Sequence, residues 1–224
     1  MTILVIAAHP DDEVLGCGGS IAKWTENGES VHVLIMATGV TSRDGVENLK
    51  DKLRLLEESA KLSCKILGVK SLKILKFPDN RMDSEDRLDV IKAIELEIAL
   101  LKPHTVVTHF KGDLNIDHQI VSESVLTACR PQAGFSVRRL LAFEIGSSTE
   151  WQSPSFNIPF QPNFFEDITS TLSTKIKALK CYKSEIRDWP HPRSILGVEY
   201  TAKNRGGSIG CDAAEAFILL REIR

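Results

Sequence analysis

Residues 2–19 read TILVIAAHPDDEVLGCGG, and the reading of this stretch decides the fold. Ile3 to Ala8 is an unbroken apolar run, the mark of a strand buried on both faces of a parallel sheet. It turns polar at His9, and a glycine cluster follows at Gly16, Gly18 and Gly19. Ser20 to Glu26 has a helical pattern, with Gly28 as its stop. The alternation then repeats. Strands are predicted at Val31–Ala37, Leu72–Phe77, Thr105–His109 and Leu140–Phe143. Helices are predicted at Glu47–Leu67, Arg87–Leu101 and Asp117–Cys129, punctuated by Gly68, Pro78, Pro103 and Pro131. Gly146 to Asn163, rich in Ser, Pro and Asn, reads as a long loop over the sheet. A helix over Thr169–Ile186, the loop WPHPRS, a last helix and an apolar segment over Ala213–Leu220 complete the chain. Strands alternating with helices imply an α/β fold, a Rossmann-like and mainly parallel sheet with helices on both faces. Residues 1–224 are read as a single domain.

Composition narrows the function classes. The chain has 224 residues, a formal net charge of -2, 42% apolar and 26% charged residues, the profile of an ordinary globular protein. Basic residues are scattered apart from a loose cluster at Arg187, Arg193, Lys203 and Arg205, so no basic face for nucleic acid is expected. Five cysteines, an odd number with no CxxC pair, argue against a disulfide framework or a thiolate zinc cluster. The opening apolar run is short and lacks a basic leader, which argues against a signal peptide. No stretch approaches the ~20 apolar residues of a membrane helix. The expectation is a cytoplasmic protein without membrane insertion.

Four polar residues, His9, Asp11, Asp12 and Glu13, directly follow the first strand. In open α/β sheets, ligands bind at the carboxyl ends of strands. Imidazole and carboxylate are zinc ligands. His9 and Asp12, three apart in a turn, can reach one ion, which leaves Asp11 beside it to handle a proton. Acidic residues after a strand also cap helices, but a cap needs one carboxylate and no histidine. The glycines raise a dinucleotide site as an alternative. Gly16 and Gly18 fit the first two positions of GxGxxG, but Ile21 stands at the third, and the second strand ends LIMATG without an acidic residue. The glycines are instead expected to let backbone pass close to the metal site.

The second cluster is THFKGDLNIDHQIV, residues 108–121, at the end of the fourth strand. In a doubly wound sheet that strand neighbours the first. His118 then completes a His₂Asp set with His9 and Asp12. Three protein ligands with an open fourth position are the pattern of a catalytic zinc. Taken singly, Asp117 reads as a helix cap and His109 as a hydrogen-bonded strand-end histidine.

With AHPDDEVLGCGG and NIDHQIV in place, the chain resembles the PIG-L/LmbE-type N-acetylglucosaminide deacetylases. That family acts on glycosylphosphatidylinositol precursors and in mycothiol and bacillithiol biosynthesis. The resemblance extends through PDN (Pro78–Asn80), FEIGSSTEW (Phe143–Trp151), PHPRS (Pro190–Ser194) and RGGSIGCDAAEAF (Arg205–Phe217). These later segments are similar to a bacterial subgroup linked to surface-polysaccharide or modified-sugar pathways. The resemblance implies one LmbE-like deacetylase domain, zinc held by His9, Asp12 and His118, Asp11 as general base, and Asp117 as a charge-balancing catalytic partner behind them. Some relatives carry an oxyanion-stabilising histidine where this chain has Asn115, and His109 is a substitute for that role. Arg193 and Arg205 are candidates for recognising the sugar or a phosphate, against a surface salt bridge; His191, in a stiff loop, is a candidate for lining the pocket; Asp79 is placed to bind a sugar hydroxyl or to shape a turn; and Trp151 and Trp189 stack on the sugar or pack in the core. The implied activity is removal of acetyl from an N-acetylated amino sugar or conjugate, the implied partner a small-molecule N-acetyl sugar, and the implied assembly a homo-oligomer. Iron(II) or another divalent ion suits the same ligands. An amidase acting on another acyl group and a non-catalytic sugar- or nucleotide-binding module are the competing readings.

Overall fold

The computed structural model describes residues 1–39, 48–155 and 158–224. The strands are β1 (Thr2–Ala7), β2 (Ser30–Ala37), β3 (Ser71–Phe77), β4 (Thr105–His109), β5 (Arg139–Phe143), β6 (Phe164–Asp167) and β7 (Ala214–Glu222). The helices are α1 (Asp12–Glu26), α2 (Leu49–Ile66), α3 (Arg87–Leu101), α4 (Ile116–Ala128), α5 (Leu172–Leu179) and α6 (Ile195–Gly207). The strands join in one sheet of order β3-β2-β1-β4-β5-β7-β6. β1 to β5 pair in parallel, while β7 runs antiparallel to both β5 and β6. The predicted Rossmann-like α/β fold is therefore the observed one.

Strand alternation explains why both faces are covered. On β1, Ile3, Val5 and Ala7 join one apolar cluster with residues of α1, α2 and α5. Leu4, Ile6 and Ala8 join a second with residues of α3 and α4. Burying a large aliphatic side chain contributes about 1.5–3 kcal/mol, so one polar substitution on β1 would disrupt a whole layer. The order reverses between β1 and β4, and the two polar clusters open at the same crevice.

The predicted helix start at Glu47 lies outside the described residues. Two expectations are corrected. The helix predicted over Thr169–Ile186 is only α5, because the chain turns after Leu179 and plants Tyr182 in the core. The helix predicted from Ser20 starts earlier and takes in the glycine cluster: α1 starts at Asp12 and breaks once, at Cys17 (φ -148, ψ 26). A Cβ on Gly16 would sit 2.4 Å from the Phe143 ring, and one on Gly19 2.6 Å from Ile168. These glycines let α1 press against β5 and the chain after β6. Lys175 and Glu215 splice the break. Lys175 Nζ donates to the carbonyl of Leu15 before it and to Glu215, and Glu215 accepts the amides of Gly19 and Ser20 after it. Among the described residues, no helix is long and apolar enough to cross a membrane.

Candidate metal centre

Two tight turns deliver the polar residues. After β1 the chain reverses at Pro10, and Asp12 folds back so that its Oδ2 accepts the His9 amide at 2.9 Å. After β4, Asp113 accepts the Asn115 amide, an Asx-type turn. Asn115 then caps α4, its Oδ1 accepting the amides of Asp117 (2.8 Å) and His118 (3.4 Å). This cap fixes Asp117 and His118 in the first helical turn, where the helix dipole favours the Asp117 charge.

His9, Asp12 and His118 converge, with one ligand atom from each all within 4.8 Å of one another. His9 Nδ1 lies 3.3 Å and His118 Nε2 3.2 Å from Asp12 Oδ2. Each ring is held from behind by a carboxylate. His9 Nε2 lies 2.9 Å from Asp117 Oδ2 and 3.3 Å from Asp79 Oδ1. His118 Nδ1 lies 3.1 Å from Asp113 Oδ1. Such outer partners fix ring orientation at metal sites. His9, Asp79 and Asp117 also form a close trio. There, however, Asp117 already accepts the backbone amides of Asn80 (2.7 Å) and Met82 (3.0 Å). Its oxygens are thus engaged in orienting His9.

Two observations test whether a cation fits the first trio. Asp12 Oδ1 is buried and has no hydrogen-bond partner among the described residues, an expensive arrangement unless something else binds it. The cluster is also overloaded with carboxylates. Burial works against a charged ring, yet Asp117 and Asp12 push His9 up to about 10, and Asp12 and Asp113 push His118 up to about 9. In return, burial would raise Asp12, but His118 and His9 hold it well below the usual carboxylate range. A cluster this rich in carboxylates favours a cation, so the residues fit a divalent ion.

Asp11 stands apart from the trio. It is the N-cap residue of α1, yet its side chain makes no capping hydrogen bond. It sits at φ 113, a conformation that costs about 1–3 kcal/mol for a residue with a side chain. Its buried carboxylate accepts from Arg193 Nη1 at 3.2 Å. Burial pushes the Asp11 carboxyl well above its ordinary range, with Arg193 opposing.

The remaining predicted residues fall into place differently. Arg193 also donates to Ser147 Oγ, and its amide donates to His191 Nδ1; the half-buried His191 ring meets Trp151 edge-on. The Asn115 side-chain amide donates to Asn80 Oδ1. His109 is fully buried, accepts the Ala8 amide at Nε2 and stacks on His118 at 4.0 Å. Arg205 forms a two-pronged pair with Glu144. Trp151 and Trp189 are 54% and 55% exposed, so neither is a core residue. The sequence reading gave no role to Asp113 or Glu13. The first was legible as an Asx turn in GDLN; the contacts of Glu13 needed the fold.

Fold and site together define a class: a doubly wound α/β protein with a His-Asp-His cation centre at the switch point and a separate carboxylate beside it. The chain belongs to the PIG-L family, whose GlcNAc-PI de-N-acetylase profile matches residues 4–129. It is 30% identical over 190 residues to the uncharacterized deacetylase YaiS of Escherichia coli K12, covering 81% of this chain and 90% of that one. It is 31% identical over 190 residues to the diacetylchitobiose deacetylase of Thermococcus kodakarensis, covering 82% and 69%. Its fold is also that of GalB, the 4-carboxy-2-hydroxymuconate hydratase from Pseudomonas putida KT2440, at 22% identity, TM-score 0.77 and coverage of 100% and 97%. A fold shared with a hydratase leaves the chemistry to be argued from the site.

Proposed function

We propose that this protein is a zinc-dependent de-N-acetylase of an N-acetylated amino sugar or sugar conjugate, with residues 1–224 acting as one unit. The observation that carries the metal reading is the convergence of His9, Asp12 and His118 with the buried Asp12 Oδ1 left unpaired. The sugar comes from the kinship with diacetylchitobiose deacetylase.

When bound by His9, Asp12 and His118, zinc would supply a polarised water and Lewis acidity toward the acetamide carbonyl. The chain's own residues handle the protons. Asp11 accepts one from the attacking water as the oxygen adds to the carbonyl carbon. It returns a proton to the sugar nitrogen as the C–N bond breaks, releasing acetate and a free amine. A carboxyl held above its ordinary range takes up the water's proton more readily and keeps it until the second step. Arg193 keeps the carboxylate available for the first. Asp117 and Asp113 orient the histidine ligands and touch no substrate. Asp79, which faces His9 Nε2 beside Asp117, and His191, on the WPHPRS loop that carries Arg193, line the approach of the sugar.

The test is acetate release from N-acetylglucosamine and N,N′-diacetylchitobiose after chelation and zinc restoration. Zinc-dependent release that disappears in Asp11→Asn, with metal retained, supports the reading. Full turnover in Asp11→Asn removes Asp11 from the mechanism.

A further inference from the structure

One fully buried carboxylate beside the centre has no part in this chemistry. Glu13 divides its oxygens between two donors. Oε2 accepts the Asp11 amide at 3.1 Å, and Oε1 accepts the Tyr182 hydroxyl at 2.5 Å. Tyr182 arrives from the turn after α5, 169 residues away in sequence, and its side chain is among the largest that are fully buried.

Asp11 needs such a partner. Its carbonyl accepts the amides of Val14 and Leu15, which ties that side of the residue to α1. Its carboxylate is committed to Arg193 and the site. Its own amide, ahead of the helix and buried, has no helical carbonyl to bond, and an unmet buried donor is costly. Glu13 meets that donor and so holds Asp11 at φ 113, the conformation that turns the side chain away from the cap. The Tyr182 hydroxyl fixes the Glu13 carboxylate in turn.

We infer that Glu13 and Tyr182 are positioning residues for the Asp11 proton carrier, joining α1 to the segment after α5. The inference rests on the deacetylase reading of Asp11. Both Glu13 oxygens must accept, so Glu13→Gln is a nearly isosteric probe that sets an amide donor against one of the two donors. Tyr182→Phe removes only the outer hydroxyl.

The experiment uses zinc-loaded full-length protein and acetate release from N,N′-diacetylchitobiose. Misplaced catalytic groups lose turnover steeply, so Glu13→Gln should lower kcat roughly 10- to 100-fold, with KM and zinc per chain unchanged. Tyr182→Phe should lower kcat less, and covers the case of a Glu13→Gln protein that does not fold. Against the residual release of Asp11→Asn, read at high enzyme concentration, adding Glu13→Gln should change nothing further, whereas a merely structural role would cut both backgrounds by the same factor. A crystal structure of Glu13→Gln should show Asp11 away from φ 113. A kcat within about twofold of wild type, or Asp11 still at φ 113, overturns the inference. Wild-type protein that releases no acetate would sink the proposed function, while the crystal structure still decides whether Glu13 sets the Asp11 backbone.

Discussion

Replacing Gly16 by alanine adds one methyl group to α1, and two effects of opposite sign compete. In a helix, alanine is better than glycine by about 1 kcal/mol. Against this, the new Cβ would lie 2.4, 2.6 and 2.8 Å from Cδ2, Cγ and Cε2 of Phe143. Cγ is the root of the ring, not a flexible end, and Phe143 is fully buried on β5. The ring must retreat by about 1 Å to restore ordinary contact, at the upper end of the roughly 1–3 kcal/mol typical of overpacking. The net is a loss of about 2 kcal/mol, or about 4–8 °C in melting temperature for a domain of this size. Phe143 meets His109 edge-on at 4.7 Å, and His109 stacks on His118, so zinc affinity should fall as well. Gly18→Ala is the control: its Cβ would meet Val14 Cγ1 at 3.0 Å and Lys175 Cγ at 3.3 Å, and side-chain atoms of that kind can yield. Thermal melting with and without zinc reads both variants. A Gly16→Ala protein that melts higher than wild type would refute the packing argument and leave Gly16 as nothing more than a poor helix former.

Further outcomes are expected elsewhere. Asp113→Asn should weaken zinc binding by roughly 10- to 100-fold while the fold persists, because Asp113 orients His118 from behind; competition with a chromophoric chelator measures it. Lys175→Ala strands Glu215 without its buried partner and should cost about 3–5 kcal/mol, read by denaturant unfolding. Without metal, His9 and His118 hold their protons up to about 10 and about 9, against an ordinary 6.5. Zinc uptake near neutral pH should therefore release protons, seen as a buffer-dependent heat in calorimetric titration. The same raised values stabilise the metal-free protein fully below about pH 6.5, and that contribution is lost as pH rises through 9 to 10.

Much of this was legible in the chain. The unbroken run Ile3–Ala8 could only be a strand covered on both sides, and Pro103 and Gly68 closed their helices where expected. The trio His9, Asp12 and His118 followed from strand order, because β1 and β4 are neighbours at the switch point. What stayed hidden depended on distant partners. Nothing local shows that Gly16 serves a Phe143 ring, or that a helix can run through GCGG once Lys175 and Glu215 splice its break. β6 is a four-residue strand that exists through its pairing with β7. Arg193 could be singled out as functional, but that it faces Asp11 instead of a phosphate required the WPHPRS loop and the crevice to be folded together.

The central claim is that His9, Asp12 and His118 hold the metal on which deacetylation depends. The most direct measurement is metal per chain together with acetate release from N,N′-diacetylchitobiose, for wild type and His118→Ala, after chelation and zinc restoration. The account predicts about one zinc per chain and restored release in the wild type, with both lost in the variant. Full zinc content in His118→Ala, or undiminished release from the chelated wild type, would contradict it.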